Sequence, residues 1–481
     1  MKLKALLEGY PCQMADKGLD IDVGRISHDS RFVRPGDLYV CLKGSRTDGH
    51  LFAGQAVAGG AVAVVTEKTL ALPVPMINVK DSRHALSWLA DRFFSQPSRK
   101  LHITGITGTN GKTTTTHFLQ AIYHAAGLSC ASIGTVGLKV GEKYTPCGLT
   151  TPETFDLHRL LAGLVDGQIT HVAMEVSSHA LAWSRVEHVR FTTAVFTNLS
   201  HDHLDFHRSM EDYFQAKAHL FQLLSTQAKQ AKAVINGDDH FGRKLLQLVR
   251  VPSWSFGMNE GVNVLARLTG NELFVNKMAV TFPGGELDLR VHLPGTFNAY
   301  NALAATATAL AEGIAQEAIV RGIGAVRSIP GRLETLDFSQ EFQIFIDFAH
   351  TPEGLEQVLK TLKAMPQRRL ITVFGCPGDR DKTKRPLMGR IAEKYSDLVI
   401  LTSDNPASED PEAVISDILA GMTVSPVVLP DREEAVRYAL CAAGKGDVVL
   451  LAGKGHESYQ LVGEEHIPYS DRRAAETFFI S

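Results

Sequence analysis

A glycine-rich segment between a predicted strand and a predicted helix constrains this chain more than any other feature. Residues 104–114 read TGITGTNGKTT, and the apolar-leaning residues 101–104 before them suit a short buried strand. After the segment, Phe118, Leu119 and Ile122 recur at helical spacing, and Gly127 ends the pattern. Glycines let a backbone approach a polyphosphate, and the N–H groups at a helix start point towards it. The segment therefore predicts a phosphate-binding loop.

The residues within this loop indicate ATP and Mg²⁺. Lys112 supplies a point charge for phosphates, and Thr113 offers a hydroxyl to the metal ion. The strict pattern requires a glycine five residues before Gly111, where this chain has Ile106, but the core Gly108-x-x-Gly111-Lys112-Thr113 is intact. The alternative is an ordinary glycine turn before a helix, which the flanking strand and helix make the weaker interpretation.

Length and composition limit the other possibilities. A chain of 481 residues is too long for one core, and about three domains are expected. A formal net charge of −3 favours neither nucleic acid nor a membrane surface, and no apolar run reaches the ~20 residues that a spanning helix needs. The six cysteines have no metal-binding spacing, and the first residues lack a signal-peptide core. A cytoplasmic protein with reduced thiols is expected.

The alternation of strands, helices and turns predicts an α/β fold of three domains. Residues 1–99 form a small α/β domain, and a linker is expected near residues 94–100. Residues 100–333 form a central P-loop-type domain with a mostly parallel sheet and helices on both faces. A break at residues 330–332 leads into residues 334–481, a doubly wound, Rossmann-like domain.

Acidic and histidine side chains follow the strands of the central domain. Glu175 ends the predicted strand 171–175, and His203 lies in the segment SHDHLDFH at residues 200–207. With Thr113 these groups suit Mg²⁺, which prefers oxygen ligands and keeps waters. His201 is interpreted as an ordinary polar loop residue. The sequence therefore predicts a magnesium site that includes Glu175 and His203.

Two further features of the central domain invite functional interpretations. Lys217 lies in an otherwise apolar helical stretch; it either extends its ammonium to solvent or is buried, and a buried amine could form a carbamate. Asn298 and Asn301 lie three apart at the start of an alanine-rich helix, so their amides share one face. A helix cap accounts for one asparagine and leaves the other free for a purine edge.

Four strands of the last domain end in polar or glycine-rich loops. The loops begin near Asp347, Gly375, Ser403 and Ala452. In doubly wound domains, ligands bind at such strand ends. Arginine for a carboxylate and glutamate for an amine would suit a small zwitterion, although any single loop could simply cap a helix.

Together these segments resemble the Mur ligases of bacterial peptidoglycan synthesis, and most of all their MurE branch. The resemblance covers essentially the whole chain. Its motifs are TGTNGKT at 107–113, EVSSH at 175–179, NLSHDHLDFH at 198–207, FNAYN at 297–301, GRLE at 331–334, DFAHTP at 347–352, GDRDKTKRPLMG at 378–389, DNP at 404–406 and GKGHE at 453–457.

The resemblance implies an ATP- and Mg²⁺-dependent ligase that joins a diamino acid to the D-glutamyl γ-carboxylate of UDP-MurNAc-L-Ala-D-Glu through an acyl phosphate. It implies catalytic roles for Lys112, His203 and Lys217, the last as a carbamate (N6-carboxylysine). It implies metal ligands at Thr113, Glu175, His203 and Lys217. The implied ATP-binding residues are Gly108, Thr109, Asn110, Gly111, Lys112, Thr113, Thr114, Asn298, Asn301, Arg332, Asp347 and His350. The implied contacts to the UDP-sugar-dipeptide, whose nucleotide-sugar end the N-terminal domain would bind, are Ser30, Thr150, Thr151, Ser177 and Arg185, and those to the amino acid are Arg380, Asp404, Asn405, Ala407, Gly453 and Glu457.

Departures from the family pattern concern the incoming amino acid. Relatives that add meso-diaminopimelate typically read DNPR, and here Ala407 replaces the arginine. The loss of a bidentate carboxylate clamp costs on the order of a few kcal/mol of discrimination. Ala407 therefore favours L-lysine, whereas GKGHESYQ at 453–460 resembles the diaminopimelate branch and supports the alternative. Phe348 for tyrosine and Trp183 for glutamine are lesser departures.

Two other classes of protein remain as alternatives. Folylpolyglutamate synthases share the phosphate loop but do not usually combine EVSSH with DNP and GKGHE. A catalytically inactive nucleotide-binding protein is disfavoured because no expected catalytic position is missing. A monomer without nucleic-acid partners or membrane insertion is expected.

Overall fold

The computed structural model describes residues 1–13, 20–44, 47–227, 230–272 and 274–480. Within these ranges the chain forms two compact units. The first comprises Met1–Gly105, Leu128–Ala194 and Ala216–Ala231, and the second comprises Ile106–Gly127, Val195–Gln215 and Lys232–Ser481. No helix in the described ranges combines the length and apolar character that a bilayer span requires.

The N-terminal part of the first unit is a small parallel sheet covered by helices. The four strands lie in the order β1-β2-β3-β4, and every neighbouring pair is parallel. Leu38 and Val40 on β2 are fully buried, as are Leu6 and Leu89 on α1 and α3, so these helices supply the apolar cover of the sheet. The elements are α1 (Leu3–Leu7), β1 (Arg25–Ser27), β2 (Asp37–Val40), α2 (Ala53–Ala58), β3 (Ala63–Thr66), β4 (Met76–Asn78) and α3 (Ser82–Phe93).

The rest of the first unit contains strands and helices from the predicted central domain. β6 pairs with β9 in parallel and with β7 in antiparallel fashion, and β7 continues into β8 as a meander. The predicted strand 171–175 is confirmed as β9 with the same bounds. Helix α4 (Lys112–Ala125) belongs to the second unit, and β5 (His102–Thr107), β10 (Thr193–Phe196) and α7 (Met210–Gln227) each have residues in both units. The remaining elements of the first unit are β6 (Cys130–Gly134), β7 (Gly137–Val140), β8 (Lys143–Thr145), α5 (Thr154–Asp166), β9 (His171–Glu175) and α6 (Ser178–Ala182).

The second unit continues with further strands and an alanine-rich helix. β11, β12 and β13 pair in parallel, and β13, β14 and β15 form an antiparallel meander. Helix α9 has 17 residues, of which 12 are buried, which explains its run of small side chains. The elements are β11 (Lys232–Asn236), α8 (His240–Leu248), β12 (Ser253–Gly257), β13 (Val264–Glu272), β14 (Val275–Phe282), β15 (Gly285–Val291), α9 (Thr296–Glu312) and α10 (Gln316–Ala325).

The C-terminal part of the second unit is built on a six-stranded sheet of order β16-β17-β21-β18-β19-β20. All its pairs are parallel except that of β16 with β17. The four strands predicted from sequence are present as β17, β18, β19 and β21. The elements are β16 (Glu334–Leu336), β17 (Gln343–Asp347), α11 (Pro352–Lys363), β18 (Leu370–Phe374), α12 (Lys384–Tyr395), β19 (Leu398–Leu401), α13 (Pro411–Leu419), β20 (Val427–Val428), α14 (Arg432–Ala442), β21 (Val448–Ala452), β22 (Tyr459–Val462), β23 (Glu465–Pro468) and α15 (Asp471–Ile480).

Candidate active site

The glycine-rich loop joins β5 to α4, as the sequence predicts. Gly111 stands at the N-cap of α4 with φ +87°, a conformation that favours glycine. The ammonium of Lys112 donates to the carbonyl oxygens of Gly108 and Thr109, at 2.8 and 2.9 Å. The lysine therefore folds over the loop backbone, where a polyphosphate would compete for the same donors.

Two glycines of the loop are required by close approach of other side chains. A Cβ at Gly111 would lie 2.1 Å from Oδ1 of Asn301, and a Cβ at Gly108 would lie 1.8 Å from Oγ1 of Thr197. Both distances are far below any contact that heavy atoms tolerate. The glycines thus allow α9 and the end of β10 to touch the loop.

Side chains after β10 hold the loop in place. Asn198 accepts from the Asn110 N–H at 2.9 Å, and the Thr197 hydroxyl donates to the Asn110 carbonyl at 2.7 Å. The Thr109 hydroxyl accepts from the Ser200 N–H at 3.0 Å and lies 3.2 Å from the hydroxyl of the buried Tyr213. These bonds tie the outer polar groups of the loop to the segment after β10.

A cavity of about 390 Å³ opens beside this loop within the second unit, a volume in the range of small-ligand pockets. Of the predicted ATP-binding positions it includes Asn110, Gly111, Thr114, Asn301, Arg332, Asp347 and His350. It also includes side chains for which the sequence predicted no individual role. Three of them, Asn198, Phe297 and Tyr300, lie in the quoted motifs, and the others are Asn236, Asp238, Phe256, Glu353 and Gln357. Asn236 is the last residue of β11 and Asp238 follows it, so the rule for strand ends could have identified them.

Arg332 links the cavity to the first turn of α4. Its guanidinium donates to the Thr113 hydroxyl at 3.0 Å and lies over the ring of Phe348 at 5.0 Å. The carboxylate of Asp347 accepts from the N–H groups of Leu333 and Ala349, at 2.7 and 2.8 Å. Burial raises the pKa of Asp347, and burial lowers the pKa of His350. A neutral His350 is therefore favoured at neutral pH.

The expected cap at the start of α9 is wrong. The N-cap is Gly295, which makes no side-chain cap, and both asparagines lie inside the helix. Asn298 donates to the Pro294 carbonyl at 2.8 Å, and Asn301 donates to Asn298 Oδ1 at 3.3 Å. Asn298 thus orients Asn301 against the cavity, and only Asn301 lines it.

Asp202 lies at the centre of a group of basic side chains. Its carboxylate is 3.5 Å from Nε2 of His203 and 4.0 Å from both His350 Nε2 and Lys384 Nζ. Burial alone would raise the pKa of Asp202, but the three basic groups outweigh it and hold that pKa at about 2. His201, predicted to be an ordinary polar residue, contacts Asp381 at 3.1 Å.

The first unit gathers the positions predicted for the acceptor substrate around Glu175. The Glu175 carboxylate accepts from the N–H and hydroxyl of Thr135, at 2.9 and 3.1 Å, and it is almost fully buried. The Thr135 hydroxyl lies 3.1 Å from that of Thr150, and the Thr151 hydroxyl donates to the Glu175 carbonyl at 3.0 Å. The Ser177 N–H donates to Thr151 at 3.0 Å. Four of the predicted groups therefore form one network.

Arg185 joins this network, whereas Ser30 does not. Arg185 pairs with Glu153 at 2.6 Å, donates to the Thr151 carbonyl at 3.3 Å and packs on the Trp183 ring at 5.0 Å. Ser30 lies in a short 3₁₀ helix after β1 and donates to Gln55.

The groups predicted to hold magnesium fit a hard cation only with help from substrate. Among the described residues, no three His, Cys, Asp or Glu side chains converge as a complete metal site. A threonine hydroxyl and a carboxylate are nonetheless ligands that Mg²⁺ accepts together with phosphate oxygens and waters. Lys217 on α7 is only 1% exposed, so the solvent-extended alternative is wrong. Its burial is compatible with the carbamate prediction.

The amino-acid positions converge at the ends of β19 and β21. Lys454, fully buried, donates to Asn405 Oδ1 at 2.9 Å and to Glu457 at 2.8 Å, and Asn405 donates to Glu457 at 2.9 Å. Asp404 is buried beside them, and burial raises its pKa. A Cβ at Gly453 would lie 2.4 Å from Asp404 Oδ2, which explains the glycine.

Ala407 and Arg380 flank this network. Ala407 has φ +50° and exchanges backbone hydrogen bonds with Leu461 and Gly463, at 3.0 and 2.8 Å. Arg380 is exposed and makes no hydrogen bond or ion pair with any described residue. Its loop contacts the neighbouring loop through the Gly378 N–H and the Asn405 carbonyl, 2.8 Å apart. An unengaged arginine thus stands near the predicted amino-acid pocket.

A P-loop beside a nucleotide-sized cavity, with a cluster of polar side chains at the ends of β19 and β21, is an arrangement that suits an ATP-dependent ligase. Family comparisons specify the class. Residues 22–94 match the Mur ligase family catalytic domain, residues 106–309 the Mur ligase middle domain, and residues 331–455 the Mur ligase glutamate ligase domain. The chain belongs to the Mur ligase family and is an acid–amino-acid ligase.

Individual relatives match over almost the whole chain. A UDP-N-acetylmuramoyl-L-alanyl-D-glutamate–2,6-diaminopimelate ligase of Geobacillus thermodenitrificans is 44% identical over 99% of this chain and 98% of its own length. The ligase of the same name from Listeria monocytogenes is 39% identical over 98% and 97%. A solved structure of a ligase of that name is 32% identical, with a TM-score of 0.70 over 100% of this chain and 99% of that one. These matches confirm the MurE resemblance and the predicted fold class.

A more distant structure bears on the fold alone. The MurF ligase of Thermotoga maritima, solved in complex with ADP, is 19% identical with a TM-score of 0.65 over 95% of this chain and 97% of that one. ATP and Mg²⁺ are the cofactors of the family to which the chain belongs.

Proposed function

We propose that this ligase adds meso-diaminopimelate to the D-glutamyl γ-carboxylate of UDP-MurNAc-L-Ala-D-Glu, with conversion of ATP to ADP and phosphate. The observation that carries the proposal is full-length similarity, at 42–44% identity, to several ligases whose names specify 2,6-diaminopimelate. The preference for L-lysine that Ala407 suggested finds no support in these relatives, and the alternative acceptor is favoured. A cytoplasmic site of action is part of the proposal.

The residues of the second unit suit activation of a carboxylate by ATP. Lys112 and the N–H groups at the start of α4 would hold the phosphates, while Asn301 and Arg332 would contact the nucleotide in the cavity. The γ-carboxylate attacks the terminal phosphorus, the bond to the bridging oxygen breaks, and ADP leaves with the electron pair. Both reactants are anions, so nearby cations and helix N–H groups must offset their repulsion.

When bound, Mg²⁺ neutralises phosphate charge. Thr113, Glu175, His203 and the carbamate of Lys217 are proposed to hold it. The carboxylate of Glu175 is held by two donors of Thr135, which fixes its orientation. A carboxylate that is already positioned loses little freedom when it binds a ligand.

The acceptor pocket offers complementary charges for a diamino acid. Glu457 would receive an ammonium group and Arg380 a carboxylate. Asn405 and Lys454 hold Glu457 at 2.9 and 2.8 Å, and Gly453 and Asp404 lie close to each other beside them. Because Ala407 carries no charge, Arg380, which has no partner among the described residues, would take over the second carboxylate of diaminopimelate.

The test is ligation with purified protein, ATP, Mg²⁺ and UDP-MurNAc-L-Ala-D-Glu. We expect phosphate release and a UDP-MurNAc-tripeptide with meso-diaminopimelate, at a kcat/KM at least about tenfold above that with L-lysine. Lys112→Met is the inactive control. Phosphate release with lysine alone would overturn the acceptor assignment, and no release with either diamino acid would overturn the proposed reaction.

A further inference from the structure

One buried lysine in the second unit has no role in the site described so far. Lys384 is the first residue of α12, and its side chain is 4% exposed. Within the ranges that the structure describes, it makes no hydrogen bond, and its ion pair with Asp202 is long, at 4.0 Å. Withdrawal of an ammonium from water costs several kcal/mol unless charge partners and hydrogen bonds compensate it. Among the described residues, Lys384 has only the long ion pair with Asp202 to compensate this cost.

The surroundings of Lys384 place it beside the nucleotide cavity. Asp202, its ionic partner, is 4.0 Å from His350, which lines that cavity. Two residues before Asp202, Ser200 is bonded to Thr109 of the phosphate loop at 3.0 Å. The segments after β10, β17 and β18 therefore meet here: the first contributes Asp202 and His203, the second His350 and the third Lys384.

The ammonium cannot be explained as a structural ion pair alone. The structural salt bridges of the same domain are shorter: Arg385, the next residue, lies 2.8 Å from both Glu409 and Asp417, and Arg432 lies 2.8 Å from Asp471. Lys384 differs because its three donors are all unused in hydrogen bonds among the described residues. A ligand with several acceptor oxygens would complete its environment.

We propose that Lys384 is a further catalytic residue, whose ammonium contacts the terminal phosphoryl group of ATP and keeps this contact while the group is transferred. The inference rests on the proposed function for the identity of the reaction. Asp202 holds the ammonium in place without a direct hydrogen bond, so its donors stay available for phosphoryl oxygens.

The chemistry requires a cation at this point. During transfer, the terminal phosphorus forms a bond with an oxygen of the substrate carboxylate, and its bond to the bridging oxygen of ATP breaks. In the second step, the amine nitrogen bonds to the acyl carbon, and phosphate leaves with the electron pair of the broken C–O bond while the nitrogen loses a proton to solvent. The side chain of Lys384 offsets charge on the same phosphoryl oxygens in both steps.

The decisive experiment compares nucleotides with and without the terminal phosphoryl group. The affinities of ADP and of the β,γ-imido analogue of ATP, each with Mg²⁺, are measured by calorimetry for wild type, Lys384→Met and Lys394→Met. Lys394 is the matched control, since it lies on the same helix with a side chain that is 64% exposed. We expect Lys384→Met to lower the affinity for the analogue about tenfold or more and the affinity for ADP less than about twofold. Lys394→Met should change neither affinity.

Isotope exchange then tests the reaction itself. ATP labelled with ¹⁸O in the β,γ-bridge is incubated with UDP-MurNAc-L-Ala-D-Glu and no amino acid, so that reversible acyl-phosphate formation moves label to non-bridging positions. We expect Lys384→Met to slow this exchange about 100-fold. Lys384→Gln, which also removes the charge, replaces the methionine variant if the latter does not fold.

The outcomes are separable. Unchanged exchange, or an equal change in the affinities of ADP and the analogue, overturns the role of Lys384. If wild-type protein shows no exchange but Lys384→Met still loses affinity for the analogue alone, the proposed function fails while the contact to the terminal phosphoryl group stands.

Discussion

Replacement of Gly111 by alanine tests the geometry of the phosphate loop directly. Two costs follow from the structure. The first is conformational, because φ is +87° and an L-residue in the left-handed region costs about 1–2 kcal/mol. The second is steric: the new Cβ would lie 2.1 Å from Asn301 Oδ1, so Asn301 must turn away from its bond with Asn298, a loss of about 1 kcal/mol. The sum is about 2–3 kcal/mol.

Gly127→Ala separates these costs. Gly127 has φ +75° at the end of the same helix, and a Cβ added there would meet no other atom within 4 Å, so only the conformational cost applies. By calorimetry, with about 2–4 °C per kcal/mol, Gly127→Ala should lower the unfolding temperature by about 4 °C and Gly111→Ala by about 8 °C.

The affinity for ADP should distinguish the two variants more clearly than the unfolding temperature does. The displaced Asn301 would occupy part of the cavity, so Gly111→Ala should lower the affinity for ADP at least about tenfold. Gly127→Ala should leave this affinity unchanged. In an Asn301→Ala background no Oδ1 is present to clash with the new Cβ, so adding Gly111→Ala should lower the unfolding temperature only by about as much as Gly127→Ala does in the wild-type protein. Equal behaviour of the two single variants, or an undiminished effect of Gly111→Ala in the Asn301→Ala background, would refute the assigned contact between Gly111 and Asn301.

Other predictions concern the buried lysine, the acceptor pocket and pH. Lys217→Ala should lose ligation and regain part of it with added formate or acetate, and full activity without either would contradict the carbamate role. Ala407→Arg should raise the ratio of kcat/KM for diaminopimelate over lysine at least about tenfold, and an unchanged ratio would place the selecting group elsewhere. Burial lowers the pKa of His158 to about 3 and raises the pKa of Asp91 to about 6. The free energy of unfolding that neutral His158 contributes is lost as pH falls below about 6.5. The contribution of protonated Asp91 is lost as pH rises through about 6. The two groups give the unfolding free energy opposite dependences on pH. Without the Asp91 carboxyl, in Asp91→Asn, this free energy should fall by about 1.4 kcal/mol per pH unit between about pH 6 and 4, measured by urea denaturation. A flat profile would refute the prediction.

Sequence reasoning located the elements whose information is local. The strand, glycine loop and helix around Gly111 were predictable because hydrophobic period, glycine spacing and the lysine lie within about 25 consecutive residues. Glu175 was predictable because it ends a short apolar strand. The capping role expected of an asparagine failed because capping depends on where the first turn starts, and Gly295 starts it earlier.

Long-range groupings were not predictable in the same way. Asp202, His350 and Lys384 follow three strands that are far apart in the chain, β10, β17 and β18, and no spacing relates them. The order β17-β21-β18 brings the ends of two of these strands to one edge of a sheet, whereas the approach of Asp202, which follows a strand of another sheet, depends on tertiary packing. Each residue alone resembles an ordinary polar loop or helix-start residue. Only the structure shows that these residues meet, so that the Asp202 carboxylate is surrounded by His203, His350 and Lys384.

Selectivity for the amino acid can be separated from the machinery that activates the carboxylate, and Ala407 shows why. Its left-handed backbone is fixed by hydrogen bonds to Leu461 and Gly463, which do not involve the side chain. Nearby, the polar network of Asn405, Lys454 and Glu457 is bonded internally. A change of side chain at 407 therefore alters the charge presented to the far end of the acceptor and leaves the backbone and this network in place. It follows that residue 407 can differ among relatives without loss of the fold, and that Arg380 must carry more of the recognition when residue 407 is alanine.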